Sequence, residues 1–185
     1  MNEIIHTILT RRSVRSYAAK PVEQEKLNTI LECGQFAPSA NNRQPWHFTL
    51  ITDRSLLDRI SEANRSILLN MDDEAIRQRA ADPQYDSFHG APAAIIISGE
   101  ESAKYAMGDC ANATENMFLA AHALGLGGCY LASFKIAMET PEGAPLLKAC
   151  KIPPGFIPMF ALSIGYPSGE LGERAPRQGS TITII

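Results

Sequence analysis

The chain has 185 residues, 45% of them hydrophobic and 20% charged, a balance that excludes disordered, collagen-like and other fibrous classes. Its formal net charge of -3 and pI near 5.8 argue against nucleic acid as the main partner, because binding a phosphate backbone usually takes a broad basic surface. At this length a single domain over residues 1–185 buries roughly 70% of the surface that its unfolded chain exposes. Cys33, Cys110, Cys129 and Cys150 are widely spaced, with no CxxC pair and no histidine at ligand spacing. Neither zinc nor a disulfide framework is suggested, and reduced, mostly buried thiols are expected. Glu3 stands before a short apolar run, which is not signal-peptide order, and no apolar stretch approaches membrane-spanning length, so a cytoplasmic protein is expected, with no membrane partner.

In chain order, Ile4, Ile5, Ile8 and Leu9 mark one face of a first helix that ends near Arg11-Arg12. The segment from Val22 to Phe36 carries Leu27, Ile30 and Leu31 at helical spacing, and Gly34 and Pro38 stop it. Trp46, Phe48 and Leu50 alternate with His47, Thr49 and Ile51 as in a strand, with Trp46 as a core anchor. Asp53 is placed to cap the helix beginning at Ser55. Residues 64–84 are polar and rich in Met and Arg, reading as helix plus surface loop. Pro92 to Ser98, with three isoleucines in a row, reads as a strand buried on both faces.

Ser102 to Leu126 is the longest helical pattern, with Met107, Cys110, Ala113, Met117, Ala120, Ala121 and Leu124 on or near one stripe. Gly125, Gly127 and Gly128 end it and lead into a short strand at Cys129-Tyr130-Leu131. Ile157 to Ile164 is a further strand, with a turn at Gly165-Tyr166-Pro167. The β-branched end, Thr181 to Ile185, is suited to an edge strand, including one added to a partner subunit.

Two segments carry the chemistry: Arg11-Arg12-Ser13-Val14-Arg15-Ser16-Tyr17 and Ala37-Pro38-Ser39-Ala40-Asn41-Asn42-Arg43-Gln44-Pro45-Trp46. Guanidinium forks match phosphate and carbonyl oxygens, and Ser, Asn and Gln give directional hydrogen bonds to a polar heterocycle. In an extended stretch Ser13 and Arg15 project to the same side, whereas in a helix Arg11 and Arg15 do. The second segment also reads as a plain turn at Pro38-Ser39 with Asn42 in the left-handed region. His6, His47, His89 and His122 have no partners in sequence and read as structural or solvated. No Rossmann glycine signature is present, since Gly125-Leu126-Gly127-Gly128 follows a helix and not a strand.

These two segments, with the stretch from Asn112 to Phe134, resemble the nitroreductase family of dimeric FMN-dependent oxidoreductases that use NADH or NADPH. The resemblance implies an α+β fold, with a central, mainly antiparallel sheet surrounded by helices, and a homodimer with two FMN sites at its interface. It implies that Arg11, Arg12 and Ser13 line the phosphate and ribityl end, and that Arg174 is a C-terminal phosphate contact, with Arg177 a weaker candidate. Arg15 would lie near the N1/O2 edge of the ring, where a cation favours the negative charge that reduction brings. Pro38, Ser39 and Ala40 would touch the flavin of the other subunit, with Asn42 and Gln44 beside it. Tyr130, Leu131, Ala132 and Ser133 would lie against the ring face, with a backbone N–H directed at N5. Ala132 departs from an acidic residue common in some members, and residues 64–84 match poorly, with Asn64 or Asn70 as candidates beside the pyrimidine. The activity implied is hydride transfer from NAD(P)H through FMN to nitroaromatic, quinone or similar acceptors in ping-pong order, without a side-chain nucleophile or metal. The alternatives are a flavin-dependent dehalogenase or dehydrogenase on the same scaffold, a non-catalytic FMN storage or delivery protein, and a nucleic-acid-binding module that uses the arginines.

Overall fold

The isoleucine run becomes the middle of a sheet. In the computed structural model, which describes residues 1–179 and 181–185, strand β2 (Ala93–Glu100) pairs antiparallel with β1 (Trp46–Ile51) on one side and β4 (Phe156–Gly165) on the other. Strand β3 (Gly127–Leu131) pairs antiparallel with the far edge of β4, giving the order β1-β2-β4-β3.

Both faces of this sheet are covered, which is why an antiparallel strand is apolar throughout instead of alternating. Ile95 and Ile97 pack with Leu27 and Ile30 of helix α2 (Gln24–Gln35) and with Met117 and Phe118 of helix α5 (Ala106–Ala123). Ile96 faces the other way, onto Leu57 and Ile60 of helix α3 (Arg54–Leu68) and onto Phe88 and Phe134. Trp46 is partly buried at the margin of the first layer, stacked on Phe48 with ring centroids 6.0 Å apart.

Local rules explain the boundaries. Asp53 caps α3 by accepting the Ser55 N–H at 2.9 Å. The polar stretch after it resolves into the end of α3 and a short helix α4 (Glu74–Ala81), capped by the Asp73 carboxylate. Helix α5 is shorter at both ends than the pattern from Ser102 to Leu126, because Gly125 takes φ 76° and the N–H groups of Gly125 and Leu126 return to the carbonyls of His122 and Ala121, a glycine C-terminal cap. Its buried stripe is Ala106, Cys110, Ala113, Met117 and Ala121; Met107, assigned to the stripe from sequence, is 64% exposed instead, one position round the helix from Ala106, which takes the buried place in the first turn. The four cysteines are free thiols.

Helix α1 (Glu3–Thr10) buries no residue at all. Its Ile4 and Ile8, with Phe36, Leu119, Ala120 and Ala123, line an open apolar groove of about 630 Å³. Thr181–Ile185 is exposed and pairs with no strand among the described residues. No helix among the described residues is long and apolar enough to cross a membrane.

Candidate functional site

The segment after α1 is extended and adds itself to the sheet edge. Ser13 bridges Gly128 in parallel, and the Val14 N–H donates to the Gly128 carbonyl at 2.8 Å. Val14 is 3% exposed and lies flat on Gly127, where an added Cβ would come within 2.6 Å of its Cγ2. Alternation along an extended chain then turns Ser13 and Arg15 to the opposite, solvent-facing side, where both are exposed. The Tyr17 hydroxyl donates to the Val14 carbonyl at 2.7 Å and lies 2.8 Å from Ser163 Oγ, fixing the turn out of this segment.

Three guanidiniums converge at the C-terminal end of α1. Arg174 donates to the Leu9 carbonyl and, at 2.8 Å, to the Arg11 carbonyl. Arg12 donates to the carbonyls of Gly172 and Glu173. Arg11 lies over the Phe118 ring, 4.3 Å from its centroid. Its Nε is 3.2 Å from a Glu115 carboxylate oxygen, yet it is misaligned for a hydrogen bond and is left as a buried donor without an acceptor. His122 reaches Thr10 Oγ1 at 2.9 Å, and burial, with help from Arg11, His6 and Arg174, lowers its pKa. Arg177 is exposed.

Arg15 points elsewhere. With Arg79, His89, Cys129 and Tyr130–Ser133 it lines a cavity of about 370 Å³. Tyr130 packs its ring on Phe160 with centroids 5.0 Å apart, and Leu131 turns its side chain into the core, so Leu131 offers this cavity only backbone. Ala132 and Ser133 are exposed. The arginines in ion pairs among the described residues are Arg11, Arg43, Arg54, Arg65 and Arg77. Arg15 and Arg79 are outside that set.

Arg79 was not singled out from sequence, His89 was read there only as a structural or solvated histidine, and neither asparagine proposed for this region lines the cavity. Asn64 is fully buried and structural, donating to Ser87 Oγ and the Phe134 carbonyl and accepting the Ala137 N–H at 2.8 Å. The Asn70 amide folds back on the Ser66 carbonyl. His89 is placed by its loop: the Asp86 carboxylate accepts from Ser61 Oγ, Arg54 and the N–H groups of Phe88 and Gly90. Burial opposes the charge on Asp86, but these hydrogen bonds outweigh it and hold the carboxyl below its usual range.

Residues 38–44 form a separate, tightly turned loop. Asn41, Asn42 and Gln44 all have φ between 51° and 54°, so the left-handed geometry expected for Asn42 extends to its neighbours. Ser39 Oγ accepts the Gln44 N–H at 3.0 Å, the Gln44 amide donates to Asn42 Oδ1 at 2.9 Å, and the Asp109 carboxylate accepts the Ala40 N–H at 3.0 Å. The Pro38 carbonyl accepts from Asn112 of α5. None of these residues lines the cavity of Arg15.

The fold is an antiparallel sheet between two helical layers, with cationic side chains separated along one extended edge segment. The sequence profile of the nitroreductase family matches residues 8–166, and the chain belongs to that family. A nitroreductase from Bacteroides fragilis solved with bound FMN superposes with a TM-score of 0.93 at 34% identity, covering 100% of both chains. An Archaeoglobus fulgidus protein provisionally named NADH dehydrogenase/NAD(P)H nitroreductase is 32% identical over 92% of this chain and 88% of its own. An FMN reductase [NAD(P)H] of Bacillus subtilis is 29% identical over 94% of this chain and 70% of its own.

Proposed function

We propose that this chain works as a homodimer in which FMN carries hydride from NADH or NADPH to nitroaromatics, quinones or similar small acceptors. It is an NAD(P)H-dependent FMN oxidoreductase. The observation that carries the residue assignments is the split of cations along one extended segment, with Arg11, Arg12 and Arg174 at one end and Arg15 with Arg79 at the other.

The residues fit the cofactor. The buried Nε of Arg11, beside Glu115 but without a well-aligned hydrogen bond, and the N–H groups of Arg12 and Arg174 beyond those tied to carbonyls leave donors at this end. These three would hold the phosphate, with Ser13 beside them. Arg15 and Arg79 would face the N1/O2 edge, while Tyr130–Ser133 presents backbone to the ring. Bound FMN supplies the two-electron chemistry, and the protein supplies position and electrostatics. Arg15 and Arg79 would favour negative charge on the pyrimidine edge.

Two features support the dimer. Helix α1 offers Ile4, Ile5, Ile8 and Leu9, each at least half exposed, beside the apolar groove, a surface suited to a second copy. The loop with Pro38, Ser39, Ala40, Asn42 and Gln44 lies outside the cavity of its own Arg15, as expected if it serves the partner's flavin. Thr181–Ile185 would extend over that partner. With alternate exchange of nicotinamide and acceptor over one ring, turnover is ping-pong, and the setting we propose is the cytoplasm.

The test is the identity of the flavin released by heat. Chromatography should give FMN at about one per chain, because guanidiniums gathered round a terminal phosphate exclude the adenylate of FAD. Predominant FAD, or failure to take up added FMN, would overturn the assignment, and FMN uptake without NAD(P)H oxidation would mark a storage protein.

A further inference from the structure

Arg15, Arg79 and His89 form a wall shared by two cavities. One is the cavity of Tyr130–Ser133; the other, of about 440 Å³, is lined beyond the wall by Ser16, Gln84 and Tyr85 among others. A guanidinium carries five donors in a planar fork, so Arg15 and Arg79 can serve both sides. Two unpaired cations side by side repel each other unless an anion joins them.

The carboxylates on the second cavity do not fill that role. Asp86 is saturated by Arg54, Ser61 and two backbone N–H groups, and Asp82 accepts the Gln84 N–H at 2.8 Å. His89 is preset: it takes φ 57°, a left-handed backbone uncommon outside glycine, and the hydrogen bonds of Asp86 to both of its neighbours hold it there. Strain of this kind persists where the surroundings enforce it, and it gathers at ligand sites. The donors facing the second cavity therefore match an anion with several oxygens.

We propose that this second cavity binds a carboxylate or comparable oxoanion, gripped by Arg15 and Arg79 and flanked by His89, immediately behind the ring end of the flavin site. Its place beside the flavin rests on the function proposed above, whereas its donor chemistry does not. The anion has two sources, the acidic group of an electron acceptor and a free small anion.

Sulfate is the probe, because its charge does not change near neutral pH. Calorimetric titration of the FMN-loaded protein at constant ionic strength should show one saturable sulfate per chain. Arg79→Gln, at an exposed position, should weaken it by about tenfold or more, the loss of one charge-assisted contact. Charged and titratable groups facing His89 are Arg15, Arg79 and Asp86, with Asp82, Tyr85 and Tyr17 on the second cavity and the Cys129 thiol and Tyr130 on the other. Burial, then Arg15 and Arg79, lower the His89 pKa against the opposing pull of Asp86, so sulfate should bind more tightly as pH falls below the ordinary histidine range. His89→Asn should remove that gain, asparagine being tolerant of the left-handed backbone.

Sulfate that raises KM for a nitrobenzoate but not for the matching nitrobenzamide identifies the anion as part of the acceptor. Saturable sulfate without that discrimination identifies a free anion. Absence of saturable binding, or equal affinity in Arg79→Gln, overturns the proposal. A chain that takes up no FMN overturns the function proposed above instead, and the sulfate titration still reads the cavity.

Discussion

At the end formed by Arg11, Arg12 and Arg174 the guanidiniums are tied to the chain, to four backbone carbonyls, to Glu115 and to the Phe118 ring. At the other end Arg15 and Arg79 meet no carboxylate at ion-pair distance among the described residues. The first end is a clamp: its ties to α1 and to the C-terminal segment at Gly172–Arg174 set the donor positions before any ligand arrives, which favours affinity. The second holds uncompensated charge beside a buried sheet edge, where it acts on the charge state of whatever is bound. On the function proposed above, one site divides holding from tuning.

Both ends hang from Val14, so the largest effect should follow from disturbing its seat. Gly127→Ala would bring a methyl within 2.6 Å of Val14 Cγ2, a stiff β-branched side chain buried against the sheet. Overpacking of this kind costs about 1–3 kcal/mol. Thermal melts should show a fall of several degrees, and flavin retention should drop together with it. An unchanged melting temperature would mean that the edge segment is not held at this point.

A smaller change should separate the ends. Asp86→Asn weakens the loop that presents His89 and its ties to Arg54 and Ser61 of α3, leaving Arg11, Arg12 and Arg174 in place. The native carboxyl is held below its usual range, so its contribution is complete above the unfolded value of about 4 and disappears as pH falls through the native value. The difference in melting temperature between wild type and Asp86→Asn should accordingly be constant near neutrality and shrink in acid. A gap that persists unchanged into acid would contradict the charged reading of Asp86.

The sheet was largely legible because its signals are local. Three consecutive isoleucines announced a strand covered on both faces, and Trp46–Ile51 alternates as its partial burial requires. The same locality let the three basic residues after α1 be read as one cluster, and only the family resemblance divided them into a phosphate end and a ring end; spacing alone could not, because the division depends on the extended pairing with Gly128 and on Gly172–Arg174 returning from far along the chain. Arg79 was missed, and His89 was read only as structural or solvated, for a similar reason. Arg79 lies in a stretch of featureless polarity, and the hydrogen bonds that aim His89 come through Asp86 from Arg54 and Ser61, 32 and 25 residues away in sequence. The left-handed backbone of Asn42 is readable from residue type, whereas that of Gln44 and His89 is imposed by packing. An amphipathic pattern in α1 gave the helix but not its exposure.

The most direct test of the division between holding and tuning is a pair of variants measured by two methods. Arg11→Ala and Arg15→Ala should each weaken FMN binding by about ten- to a hundredfold, the loss of one hydrogen-bonded charge. A redox titration against reference dyes should then separate them: the flavin midpoint falls in Arg15→Ala, where the negative charge near N1 loses its cation, and stays at the wild-type value in Arg11→Ala. An unchanged or raised midpoint in Arg15→Ala, or an equal fall in both variants, would contradict the account.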